Sequence, residues 1–212
     1  MSKIILFLFI LFNAIQAQGL DTNIVQDVRG KNIFHFSINP KLPPFKFILI
    51  GDSTSNTIDK IKVYEGNDTI PIQELNIDDM DQPMKDREYF SEDDFNFDRY
   101  KDIMLLKYWG TSVNLIYKVW LFNPQKMRFE SNDLLSYITS PEIDYNKKEI
   151  ILHTTSGFDE FTDLTYKVIK GKFVLIKEVE QHWDEKLKSF IKKVSIRKNG
   201  IMQVIFNKKV KG

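Results

Sequence analysis

Cysteine is absent from all 212 residues. That excludes a disulfide framework, a thiol nucleophile, a thiolate metal site and a lipid-modified cysteine. Small secreted eukaryotic modules are usually cross-linked, so a free bacterial protein of the periplasm or medium is the better match, held by its core or by another agent such as a metal. Histidine is scarce too: His35, His153 and His182 lie far apart and in no H-E-x-x-H spacing. No G-x-S-x-G, P-loop or Rossmann glycine pattern occurs, which removes the most recognisable hydrolase and nucleotide sites. A pair such as Asp159 and Asp163 has the composition for glycosidase chemistry, although a segment rich in turn residues accounts for it more simply. Net charge is nearly nil, thirty basic against twenty-nine acidic residues.

Long hydrophobic runs are also missing, with one exception at the start. "MSKIILFLFILFNAIQAQG" has Lys3, an unbroken apolar run over residues 4–12, and small residues at Ala14 and Ala17. The run is too short for a membrane span, which needs about 20 apolar residues, and it has the layout of a secretory signal peptide. We therefore expect residues 1–17 to be a signal peptide, removed on export, and residues 18–212 to form a single mainly β domain.

What the chain does have is aromatic residues: 17 Phe, 8 Tyr and 3 Trp within a 42% hydrophobic composition. These favour strands. "IFHFSI" puts Phe34, Phe36 and Ile38 on one face and His35 and Ser37 on the other. "FKFILI" follows the Pro43-Pro44 turn, and "DKIKVY" joins "TIPIQEL" through a short loop at residues 65–68. That loop carries the lone sequon Asn67-Asp68-Thr69, a chance match in a bacterial chain. "DIMLLKYW" and "SVNLIYKVWLF" come next, the latter stopped by Asn123-Pro124. Further hairpins turn at Gly157, Lys170-Gly171 and Asn199-Gly200. Short helices are expected at "NDLLSYI", residues 132–138, with Asn132 as cap, and at residues 184–189. The expected fold is an antiparallel sheet, sandwich or propeller-like, with one or two short helices.

Charge is unevenly placed. Residues 76–98 hold nine carboxylates against Lys85 and Arg87, while residues 186–212 hold nine basic side chains and no acidic one. The acidic segment is either a solvated face or a site for a cation or basic partner. The basic hairpin, with Lys192, Lys193, Arg197, Lys198, Lys208 and Lys209, reads first as edge-strand protection and second as contact with an anionic envelope surface. Export argues against nucleic acid.

Within "SEDDFNFDRYKDI", Asp94, Asn96, Asp98 and Asp102 take positions one, three, five and nine of a short run. Calcium prefers several oxygen ligands, and short Asx side chains on alternate residues can wrap it. Asp94, Asn96, Asp98 and Asp102 would give side-chain oxygens and Tyr100 its backbone carbonyl. Without Cys, or His in the loop, zinc and copper are poor matches. The sixth position, ordinarily glycine, is Arg99. The alternative is an Asx-rich turn that keeps its shape without an ion.

Together, "DDFNFDRYKDIMLL", "YKVWLFNPQKMRFE" and "YKVIKGKFVLIKEVE" resemble a family of exported bacterial proteins with an FG-GAP or integrin-like calcium loop. One branch of that family acts as immunity proteins that inhibit lysozyme-like effectors delivered by rival cells. The resemblance spans roughly residues 61–181 and is clearest at the loop and at Leu121-Phe122-Asn123-Pro124. It implies calcium at Asp94, Asn96, Asp98, Tyr100 and Asp102. It also implies a non-enzymatic protein whose partner is a lysozyme-like cell-wall hydrolase; such enzymes are commonly basic, and the acidic segment would favour the encounter. A reading of a different class is a calcium-stabilised envelope or extracellular module that binds polysaccharide or supports an assembly. A hydrolase comes third.

Overall fold

Alternation of buried and half-buried side chains, the signature of strands buried on one face, is clearest early in the chain, as in "FKFILI" at residues 45–50. The computed structural model describes residues 25–26, 32–51, 58–77, 89–110 and 114–210. The expected signal peptide at residues 1–17 and the acidic residues 78–88 lie outside these. The described chain folds into three antiparallel sheets taken in sequence order. The first is a five-stranded meander of β1 (Val25–Gln26), β2 (Asn32–Phe36), β3 (Phe45–Ile50), β4 (Lys60–Glu65) and β5 (Gln73–Asn76). In the second, β6 (Phe90–Asp93), β7 (Asp102–Trp109) and β8 (Leu115–Asn123) pair in turn. Both β9 (Arg128–Ser131) and β10 (Ile138–Thr139) then pair with β8. The third is a six-stranded meander: β11 (Pro141–Asp144), β12 (Glu149–Gly157), β13 (Glu160–Ile169), β14 (Lys172–Asp184), β15 (Ser189–Lys198) and β16 (Ile201–Val210). A mainly β antiparallel fold is thus what the chain adopts.

The middle sheet is buried on both faces because β7 and β8 alternate apolar side chains of both parities. Ile103, Leu105, Trp120 and Phe122 point into a core shared with Phe34, Phe36, Phe45, Phe47, Leu49, Ile61 and Val63 of the first sheet. Val119, with Phe95, Leu135 and Ile138, points the other way into a core shared with Ile150 and Leu152 of the third. The first core is dominated by rings at edge-on and tilted angles, such as Phe34 and Phe90 with centroids 5.0 Å apart and Phe122 and Phe129 at 5.1 Å. These are the arrangements that ring quadrupoles prefer.

Two amide side chains fasten the sheets to one another by imitating a strand. Gln73 Nε2 donates to the Phe129 carbonyl at 2.7 Å, and its Oε1 accepts from Phe129 N at 2.9 Å. Asn114 makes the same pair of bonds to Thr155, Nδ2 to the carbonyl at 2.7 Å and Oδ1 from the backbone N at 2.9 Å. Gln73 joins the first sheet to the second, and Asn114 joins the second to the third.

Local expectations hold in part. Phe34, Phe36 and Ile38 are buried while His35 and Ser37 are exposed. The Lys170-Gly171 and Asn199-Gly200 turns have φ of 51° and 73°, and of 51° and 82°, the paired positive values that two-residue hairpins need. The helices differ. "NDLLSYI" gives only a 3-10 turn, Asp133–Ser136, with the Asn132 side chain accepting from Leu134 N; Ile138 is drawn into β10 instead. Residues 184–189 form no helix: β14 runs to Asp184, β15 starts at Ser189, and Asp184 caps the turn by accepting from Leu187 N at 2.8 Å. The strand expected at "TIPIQEL" begins only at Gln73.

Removing the Gln73 clip leaves both Phe129 peptide groups without their partner, so Gln73→Ala should destabilise by about 1–3 kcal/mol. Urea unfolding should show a lower midpoint at an unchanged slope.

Candidate functional site

Asp93 and Asp102 are register partners across β6 and β7, which makes residues 94–101 the connection of a hairpin. Its alternate Asx side chains turn inward onto the loop's own backbone. Asp94 Oδ1 accepts from Asp98 N at 3.0 Å and its Oδ2 from Arg99 N at 2.9 Å. Asn96 Oδ1 also accepts from Asp98 N at 3.0 Å, and its Nδ2 donates to Asp98 Oδ2 at 3.0 Å. Asp98 Oδ1 accepts from Tyr100 N at 2.8 Å. Phe97 and Arg99 take left-handed φ of 60° and 74°, so the sixth position has the backbone that favours glycine although it carries Arg.

Asp102 anchors this loop from inside the protein. Its Oδ2 accepts from Phe95 N at 2.9 Å and its Oδ1 from Phe122 N at 2.8 Å, with the carboxylate fully buried. Phe95 thereby enters the second core and Phe122 the first. Tyr100 lies against Phe122 at 5.7 Å. Outside, Asn39 Nδ2 donates to the Arg99 carbonyl at 2.9 Å and Lys101 N to the Ile38 carbonyl at 2.8 Å. Phe97 meets the Tyr145 ring edge-on at 6.1 Å, and the Tyr145 hydroxyl donates to Asp93, which also takes Lys101 Nζ at 3.3 Å.

The electrostatics follow from burial. Desolvation pushes the Asp102 carboxyl up to about 8, opposed by the Phe122 and Phe95 amides and reinforced by the charges of Asp98 and Asp94. Asp94 is also raised, mainly by desolvation, against the Arg99 and Asp98 amides. The structure therefore gathers Asp94, Asn96, Asp98 and Asp102 about one loop, with Tyr100 in the same turn. Among the described residues no three His, Asp or Glu side chains form a ready-made cage, so a cation would be held by mixed carboxylate, amide and carbonyl oxygens. Such donors suit a hard ion, and a cation there would favour the ionised form of Asp102, which desolvation chiefly disfavours.

Sequence reasoning missed the partners outside the run. Asp93 and Tyr145 latch the loop to the third sheet, and Tyr145 had no motif to signal it. Lys107 was also passed over: it is buried at a bulge between Leu106 and Tyr108, with Nζ 2.9 Å from the Tyr137 hydroxyl. Its place two residues after Leu105 was the available signal. The histidines lie elsewhere. His35 and His182 are exposed, while His153 Nδ1 is 2.5 Å from Asp163 Oδ1 and stacks on Phe161. Asp163 is thus engaged by His153, and the Asp159 carbonyl accepts from Gln181 in a turn.

No protein-family model matches the chain, and no curated protein matches it in sequence. A solved structure described as that of "a Xanthomonas Type IV Secretion System related protein" is similar in shape, with a TM-score of 0.57 over 88% of this chain and 98% of that one. At 15% identity, the likeness shows a shared fold.

Since burial raises the Asp102 pKa in the folded protein above its ordinary value of about 3.9, the folded form binds this proton more tightly than the unfolded chain. The stabilisation is complete below about pH 4 and is lost as pH rises through about 8. In chelator, urea midpoints should fall over that window, and Asp102→Asn should flatten the fall while lowering stability at every pH, because its amide nitrogen faces a backbone donor.

Proposed function

We propose that the chain is an exported, non-enzymatic protein that binds and inhibits a lysozyme-like cell-wall hydrolase, on a fold braced by calcium in the 94–102 loop. The observation that carries this is the coincidence of two things at one place. The residues that resemble the calcium loop of exported immunity proteins are also the ones that join the two cores, through Asp102, Phe95 and Phe122. A fold shared with a protein described as related to a type IV secretion system supports a role at the envelope or beyond it, periplasmic or secreted. Among the described residues, no helix is long and apolar enough to cross a membrane.

Asp94, Asn96, Asp98 and Asp102 would hold the ion with the Tyr100 carbonyl, and the ion would supply positive charge beside Asp102, whose ionised form the charges of Asp98 and Asp94 disfavour. Arg99 would work against it twice, through its guanidinium and through a left-handed backbone costing a non-glycine residue roughly 1–2 kcal/mol.

Two measurements follow. At an affinity of about 10⁻⁴–10⁻³ M, the range of extracellular modules, calcium at a hundredfold excess over its dissociation constant should add about 2.7 kcal/mol. Arg99→Gly should raise the affinity; identical melts in calcium and in chelator would leave the ion-free Asx turn as the account of the loop. Titrated into muralytic assays of a panel of lysozymes and of any effector encoded beside it, the protein should suppress activity by forming a complex whose association slows with salt. Undiminished activity without a complex would favour a calcium-stabilised envelope module instead.

A further inference from the structure

In a six-stranded meander, alternate turns come out at the same end of the sheet. The turns at residues 145–148, 170–171 and 199–200 therefore share one end of the third sheet, and those at 158–159 and 185–188 share the other. The two ends have opposite charge. Taking each turn with one flanking residue on either side, the first end carries Lys147, Lys148, Lys170, Lys172 and Lys198 against Asp144 and Glu149. Both of those carboxylates are engaged, Asp144 by Lys147 at 2.8 Å and Glu149 by Lys167 at 3.8 Å. Lys148, Lys170, Lys172 and Lys198 have no carboxylate partner among the described residues. Arg197 adds a further cation there, fixed by bonds to the Leu175 and Gly200 carbonyls. The second end carries Asp159, Glu160, Asp184 and Glu185 against Lys186 and Lys188.

The basic end also exposes apolar side chains. Ile201 is 67% exposed, Tyr145 50% and Ile169 45%. Two of them face a lysine across their hairpin, in the register pairs Ile169 with Lys172 and Ile201 with Lys198. Each two-residue turn takes the paired left-handed backbone of a tight hairpin, which places the two isoleucines directly beside the tips.

We propose that this end of the sheet docks on an anionic phospholipid surface, with Ile169 and Ile201 entering the boundary between headgroups and acyl chains and the surrounding lysines meeting phosphate. A bilayer fits these features because it accepts protruding apolar side chains and attracts clustered cations at the same depth. Phe158, 90% exposed at the opposite end, sits among carboxylates that an anionic surface would repel. The proposal is independent of calcium and of hydrolase inhibition.

Co-sedimentation with vesicles tests it. Wild-type protein, Lys170→Glu/Lys198→Glu and Ile169→Ser/Ile201→Ser are prepared identically, so that the apolar run at residues 4–12, where retained, contributes equally to all three. Vesicles of phosphatidylglycerol mixed with phosphatidylcholine are compared with pure phosphatidylcholine, in chelator so that calcium cannot bridge protein to lipid. Wild type should partition about tenfold or more onto the anionic vesicles, and a rise in salt that shortens the Debye length from about 10 to about 3 Å should remove the preference. Charge reversal should abolish binding to anionic vesicles. The serine variant should weaken it severalfold while keeping the salt dependence. Thermal melts matching wild type would show that both variants, changed only at exposed turns, remain folded. Equal partition of wild type onto both vesicle types, or anionic binding unchanged in either variant, would overturn the proposal; so would binding of soluble polyglutamate or polygalacturonate in preference to vesicles.

Discussion

One buried carboxylate holds the middle of this protein together. Asp102 is the first residue of β7, and its two oxygens reach the backbone of the hairpin loop on one side and of β8 on the other. The amides it grips belong to Phe95 and Phe122, whose rings lie in different cores. A neutral apolar residue here would leave two buried N–H groups without acceptors, each a cost of about 1–3 kcal/mol. A carboxylate satisfies both but brings a charge out of water, which is why its pKa is raised to about 8. The loop's other acids increase that cost. The arrangement is therefore in tension, and below about pH 8 a proton on Asp102 relieves it.

The same solution recurs without charge where the sheets meet. Gln73 and Asn114 each complete a pair of backbone-like hydrogen bonds to a strand of the neighbouring sheet. Ring packing and aliphatic burial supply adhesion between layers but little direction, since area burial is non-directional. Two side-chain amides tie the three sheets to one another, and one carboxylate ties the loop to β8 within the middle sheet.

The loop and the basic end of the third sheet are neighbours. Tyr145, in the first basic turn, donates to Asp93 and packs on Phe97. The negative charge of the loop thus lies beside the first of the three basic turns.

Much of the fold was legible in short stretches. The alternation in "IFHFSI", the Asn199-Gly200 turn and the strand stop at Asn123-Pro124 are local facts about side-chain period and backbone dihedral, and a chain cannot hide them. The loop was legible too: alternate Asx residues declare their turns, and Arg99 at the glycine position takes the positive φ that position requires. The "NDLLSYI" segment was misjudged because pairing of Ile138 with Tyr117 outweighs the few hydrogen bonds a two-turn helix would make. Composition and pattern, then, determined the strands, the turns and the acidic loop. Only the tertiary structure decided that Asp102 spans two cores, that Gln73 and Asn114 clip the sheets, that Tyr145 latches the loop, and that lysines scattered over fifty residues converge at one end. Those contacts join positions far apart in the chain, and sequence periodicity carries no information about which distant backbone a polar side chain will find.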